Sequence, residues 1–319
     1  MMSHIGKSLG PCVACCLLVV ALAGVAVAAP LDEALRDHPM LGDAQLNDVC
    51  FVDAEHGWAV GDRGANWHTL DGGRHWSLQA SGVDSRLASV VFLDRKIGWA
   101  AGGATQPYTH VSSGVVLRTQ DGGAHWSVER RAMTPAIARI GFFDPLRGWA
   151  LGQPSALFPS GVMATEDGGR TWSPLPSAAG HGWLTGAMID PNTGALAGRT
   201  SRLATIRRRG VEPQPADFGL RALRAMQLAP PAKGWLVGDG GLVLQTRDLG
   251  KSWQTTAGLL PPGARDHFDF AALAVRGPHC WLAGTPGTRV FHTSDEGQTW
   301  TAGDTGQALP IRALSFVDA

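Results

Sequence analysis

The 319-residue chain has a single tyrosine, 4 lysines against 23 arginines, 6 glutamates against 21 aspartates, and 5 cysteines. Each shortage excludes something. Scarce Lys and Glu beside 42 glycines and 20 prolines argue against long helices and for strands and turns. A formal net charge of zero leaves no global field that would draw the chain to nucleic acid or to an anionic membrane. Cys12, Cys15 and Cys16 fall in an amino-terminal apolar run, so only Cys50 and Cys280 remain beyond it. Two isolated cysteines make no zinc pattern. In an oxidising compartment they can pair; otherwise they serve as small buried hydrophobes. P-loop, dinucleotide-binding, HExxH and GxSxG elements are all missing, and no cofactor or metal is expected.

The apolar run itself follows Lys7, extends from Cys12 to Ala29 and contains the small-x-small sequence Ala26-Val27-Ala28. This predicts a signal peptide over residues 1–28, cleaved after Ala28, and a periplasmic location. The alternative is an uncleaved anchor facing the periplasm, for which the run is just long enough. Residues 29–45 then form a polar lead-in, and residues 46–319 the folded domain.

What the chain has in abundance is a repeat. Residues 57–76 read GWAVGDRGANWHTLDGGRHW and close on Thr69-x-Asp71-Gly72-Gly73-x-His75-Trp76. The closing pattern returns with Asp121, Gly123 and Trp126, and with Asp167, Gly169 and Trp172. Looser copies carry Asp248, Gly250 and Trp253, then Asp295, Gly297 and Trp300. The first three aspartates are spaced by 50 and 46 residues, and Asp248 lies 81 further on. That gap is nearly two periods, so a degenerate copy lies between: Met188-Ile189-Asp190, then Gly194 to Gly198, then Arg207-Arg208-Arg209 in place of the Asp turn. Each copy holds four short antiparallel strand signals in about 40 residues, the length of a β-propeller blade. The fold expected is an all-β propeller of four-stranded antiparallel blades. Ser315-Phe316-Val317-Asp318 matches Cys50-Phe51-Val52-Asp53. It therefore reads as the first strand of a seventh, truncated blade; the alternative is a six-bladed ring in which this strand has a closing role. In a six-bladed ring Cys50 and Cys280 would sit in neighbouring blades.

The turn chemistry accounts for the aspartates. Gly73 and its equivalents supply positive φ, the carboxylate accepts turn N–H groups, and the Trp rings return apolar area to the space between blades. Five equivalent carboxylates are turn residues rather than catalysts.

The Thr-x-Asp-x-Gly-x-Thr/His-Trp pattern resembles the Asp box of sialidase-type (BNR) repeats. Combined with F-x-D and G-W-A-V-G-D, it is similar to the photosystem II stability/assembly factor family over residues 46–318. That resemblance implies a non-catalytic factor for reaction-centre assembly, and so a monomeric protein-binding scaffold for a membrane or envelope complex. The rival is a BNR-type glycoside hydrolase, sialidase-like or glucanase-like. A sialidase would need a Tyr nucleophile, a Glu and three Arg; the lone Tyr108 falls in a loop, and the repeat register places no Glu beside it. A two-carboxylate glycosidase could draw its residues from any two blades. Two surfaces are candidates for binding. Long loops at Gly102–Gly114 and Gln153–Gly161 present Tyr108 and Phe158 on one face. Arg207, Arg208 and Arg209 stand on the Asp-turn face, where an acidic partner could dock.

Overall fold

A computed structural model describes residues 41–109, 111–129, 132–177 and 182–317. The predicted signal peptide over residues 1–28 and residues 29–40 of the lead-in lie outside the described residues. Six four-stranded antiparallel sheets follow one another along the chain. Blade 1 spans residues 46–78, blade 2 87–128, blade 3 137–174, blade 4 183–214, blade 5 223–255 and blade 6 269–304. Within each blade the strands pair in chain order. The first strands of successive blades from 1 to 6 adjoin one another and surround the axis.

Local sequence explains each strand. The second strand of blade 1 is Gly57–Gly61, buried along its whole length between its neighbours. Its small residues are a steric requirement: a Cβ on Gly61 would collide with the Gln45 carbonyl where the chain enters the first strand. Gly57 faces the Phe51 ring in the same way. The aspartate of each F-x-D caps the first turn. Asp53, Asp94 and Asp144 each accept two backbone N–H groups from the residues that follow, at 2.7–2.9 Å.

The core is divided among the spaces between blades. One apolar cluster joins blades 1 and 2 around Trp58, Leu87 and Phe92; the next joins blades 2 and 3 around Trp99, Ile140 and Phe142. Equivalent clusters join blades 3 and 4, 4 and 5, and 5 and 6. The Gly-Trp ring of one blade stacks on the F-x-D phenylalanine of the next. Trp58 lies 3.6 Å from Phe92, and Trp99 3.6 Å from Phe142, centroid to centroid.

Six blades overturn the seven-bladed expectation. No sheet contains the terminal Phe316-Val317, and residues 305–317 form no strand. The segment instead lies across the junction between blades 6 and 1. Ile311 N–H donates to Gly284 O at 3.0 Å. Phe316 stacks on Trp281 of blade 6 at 4.2 Å. Ala313 is buried against Val49 and Ala59 of blade 1, and Phe51 N–H donates to Ser315 Oγ at 3.1 Å. The motif copy thus supplies a phenylalanine for Trp281, the blade 6 counterpart of the Gly-Trp rings, as Phe92 does for Trp58, without building a sheet of its own.

Cys50 and Cys280 are both free. Their blades neighbour the same junction, but their side chains face away from it: Cys50 packs toward blade 2, and Cys280 into the cluster shared with blade 5. Burial pushes the Cys50 thiol up to about 12 and the Cys280 thiol well above its ordinary value, so neither is a thiolate at neutral pH.

Candidate functional site

The propeller has two faces. One collects the Asp boxes together with the turns between first and second strands. Gly72 N–H donates to Glu55 O at 2.9 Å, Gly122 N–H to Lys96 O at 2.9 Å and Gly168 N–H to Leu146 O at 2.8 Å, so the two turns of each of blades 1 to 3 are laced together. The other face collects the loops between second and third strands and the connectors between blades.

Every box repeats one network. Thr69 Oγ1 donates to Asp71 Oδ1 at 2.9 Å and accepts Gly73 N–H at 2.9 Å, while Asp71 Oδ1 accepts His75 N–H at 2.8 Å. The boxes at Asp121, Asp167, Asp248 and Asp295 reproduce these bonds to within a few tenths of an ångström. Donated N–H bonds favour the ionised carboxylate. The His75 amide holds Asp71 down to about 2, and the His125 amide does the same for Asp121. For Asp295 the leading cause is the Thr299 hydroxyl, again to about 2. The boxes also latch one blade to another: Trp58 Nε1–H donates to Gly122 O at 2.9 Å and Trp99 Nε1–H to Gly168 O at 2.8 Å. Trp172, Trp253 and Trp300 are buried, and Trp76 and Trp126 half-buried.

Blade 4 replaces the box by a two-residue hairpin turn. Arg207 pairs with Gly210, and Arg208 and Arg209 both take positive φ, 48° and 61°. All three arginines are exposed. Arg209 contacts Glu166 of the neighbouring box at 2.8 Å and Arg207 approaches Glu212 at 3.8 Å. Arg208 has no ion-pair partner among the described residues. Beside the turn is an open depression of about 650 Å³ lined by Asp144, Pro145, Leu146, Arg147 and Glu166. Its carboxylates are already engaged, Asp144 by Arg147 at 2.6 Å and Glu166 by Arg209.

On the opposite face, Tyr108 stands at the tip of the long blade 2 hairpin, 96% exposed. Phe158 does not join it. The ring is 4% exposed and sits in the cluster between blades 2 and 3, so its loop is a packing element and not an aromatic tip. A compact turn, with Gly161 N–H donating to Phe158 O at 3.0 Å, folds the ring inward.

This face also carries a set of arginines that no sequence motif marks. Arg86, in the connector before blade 2, contacts Asp62 at 3.4 Å; Arg224 of blade 5 pairs with Asp239. Both lie near Arg312 of the closing segment. Arg312 is half-buried, and burial followed by Arg86 lowers the stability of its charge. Among the described residues it has no salt-bridge partner. Exposed Arg199 and Arg221 flank the blade 4 loop, where Ser201 N–H donates to Arg221 O at 2.8 Å. Within the axis, Asp48 of blade 1 meets Arg139 of blade 3 at 3.1 Å, an ion pair that crosses the ring past blade 2. These arginines are far apart in sequence and carry no motif; the one available signal was their recurrence next to the first strand of a repeat.

Among the described residues no group of three or more His, Cys, Asp or Glu could hold a metal ion. No helix among them is long and apolar enough to cross a membrane.

Residues 37–130 and 220–316, more than half of the chain, match the family described as photosynthesis system II assembly factor YCF48. The chain belongs to that family. A relative, the photosystem II assembly lipoprotein Ycf48 of Synechococcus sp. (strain CC9902), is 34% identical over 71 residues, which are 22% of this chain and only 20% of the relative. A solved structure of YCF48 bound to D1 peptide superposes with a TM-score of 0.62 at 25% identity, covering 81% of this chain and 82% of that one. The GH74 xyloglucanase from Xanthomonas campestris is similar at 15% identity and a TM-score of 0.56, covering 85% of this chain and 47% of that one, a likeness of fold alone.

Proposed function

We propose that this member of the YCF48 family is an exported, non-catalytic scaffold that binds a polypeptide segment of a membrane-protein complex during its assembly. The periplasm is its proposed compartment, following the signal-peptide pattern at residues 1–28. The observation that carries the reading is family membership over more than half the chain, together with a relative whose structure holds D1 peptide. The basic connector face supports it. Arg312 stands half-buried near Arg86 and Arg224, with Asp62, which Arg86 also contacts, as the nearby carboxylate, and an arriving acidic group would relieve the remaining repulsion. The Arg207–Arg209 turn offers a second, more exposed basic point on the other face.

The hydrolase alternative needs a carboxylic acid raised toward neutrality opposite a second carboxylate. Every aspartate with a resolved shift moves down, and the carboxylates lining the depression beside the blade 4 turn are tied to arginines.

Binding of a labelled D1 peptide to the full chain, read by fluorescence anisotropy, tests the scaffold reading. Saturable binding that falls about tenfold or more with Arg312→Ser and Arg224→Ser supports it. An unbound peptide, with turnover of sialosides or β-glucans abolished by changing one loop carboxylate, would sink it.

A further inference from the structure

Four aromatic rings gather where the closing segment meets blade 6. His279 begins the second strand of this blade, Trp281 follows two residues later, and His292 stands opposite Trp281 on the third strand. The rings are nearly parallel: His279 to His292 at 5.3 Å, Trp281 to His292 at 4.7 Å, and Trp281 to Phe316 of the closing segment at 4.2 Å. His279 Nδ1 and His292 Nε2 face one another at 3.1 Å. At that distance one nitrogen donates and the other must keep its lone pair, so the contact survives at most one imidazolium.

Among the described residues the core is thinner here than at the junctions of Trp58 and Trp99. Trp58 and Trp99 are fully buried, whereas Trp281, His279, His292 and Phe316 are only half-buried. Beyond Thr305, which bonds to Thr288 O and Gly287 O, the segment is otherwise held by the Ile311 and Phe51 N–H bonds, by Ala313, and by Arg276 donating to Val317 O.

We propose that His279 and His292 form an acid-sensitive clasp: it holds the closing segment on blade 6 while at least one imidazole is neutral and loosens it when both are protonated. The surrounding charges do not cancel the repulsion. Arg276, three residues before His279, is engaged with the closing segment through Val317 O. Asp295 is committed to its box, and Glu296 to Lys233. Across the junction, Asp53 of blade 1 is engaged by His56 and Arg95. Among the described residues neither imidazole of the clasp has a carboxylate partner. His56, His75 and His125 differ in this respect, since each contacts an aspartate. Burial, and then His279, hold His292 below the ordinary histidine value, which favours its neutral form. Its stabilisation is present above the ordinary imidazole range and is lost as pH falls below it.

Amide hydrogen exchange on the full chain tests this. Corrected for intrinsic rates, the Ile311 and Phe51 amides should lose protection by about tenfold or more between about pH 7.5 and about pH 5, the effect of one pKa unit of repulsion. The Gly73 and Gly123 amides, held by Thr69 and Thr119, should not change. His292→Phe keeps a ring on Trp281 but carries no proton, and His279→Gln removes the partner; both should abolish the acid response. Unchanged protection in the natural chain, or the same acid response in both variants, would overturn the clasp.

Discussion

At the scale of single residues, the boxes show why five aspartates in one chain need no catalytic explanation. Each carboxylate and its threonine close a ring of hydrogen bonds around a glycine amide. Thr119→Val keeps the shape but leaves the buried Gly123 N–H without its acceptor, so it should cost about 1–3 kcal/mol in urea unfolding. The aspartates also set the acid limit of the fold. Asp71, Asp121 and Asp295 are held at about 2, below their unfolded values, so their contribution is fully present above roughly pH 4. It is lost as pH falls from there toward 2. A plot of the unfolding midpoint against pH should therefore slope downward in that window, and Asp71→Asn should flatten it.

At the scale of elements, the blade 4 turn stands apart from the other five. The box copies put glycine at most positive-φ positions, while Arg208 and Arg209 occupy the left-handed region in succession. For L-residues that costs on the order of 1 kcal/mol each, and the favoured pair for such a turn is Asn-Gly. Changing Arg208→Asn and Arg209→Gly together should raise stability by about 1 kcal/mol, read by denaturant titration. Strain retained at an exposed turn marks a place where the side chains matter more than the turn. Much of this level was legible beforehand, because Thr-x-Asp-x-Gly-x-x-Trp writes its turn in local chemistry and the Gly-Trp strands announce their burial by small residues. Phe158 was not legible. An aromatic in a long loop reads the same whether the loop stands out, as at Tyr108, or folds back over a gap between blades.

At the scale of the whole molecule, the number of blades was the point least legible in sequence. Phe316 is followed by the same Val-Asp pair as Phe51, but what it does depends on who stands beside it in the ring. Here it caps Trp281, and the first strand of blade 1 lies on its other side. The consequence is a graded ring. Phe92→Ala at the buried junction of blades 1 and 2 should cost about 3–5 kcal/mol. Phe316→Ala, at the half-buried junction of blades 6 and 1, should cost less than half of that and should expose Trp281, which a red shift of its fluorescence would report. The basic connector face is also a property of the ring. Arg86, Arg224 and Arg312 are remote in sequence and meet only because blades 2 and 5 and the closing segment share one axis.

The most direct test of the account is to identify what touches that face in cells. A photo-crosslinker placed at Leu314, beside Arg312, should capture a segment of a membrane-protein complex, and capture should fall when Arg224 and Arg312 are changed to Ser. Capture of that complex with no dependence on these arginines, or purification of the chain with polysaccharide-cleaving activity and no protein partner, would contradict it.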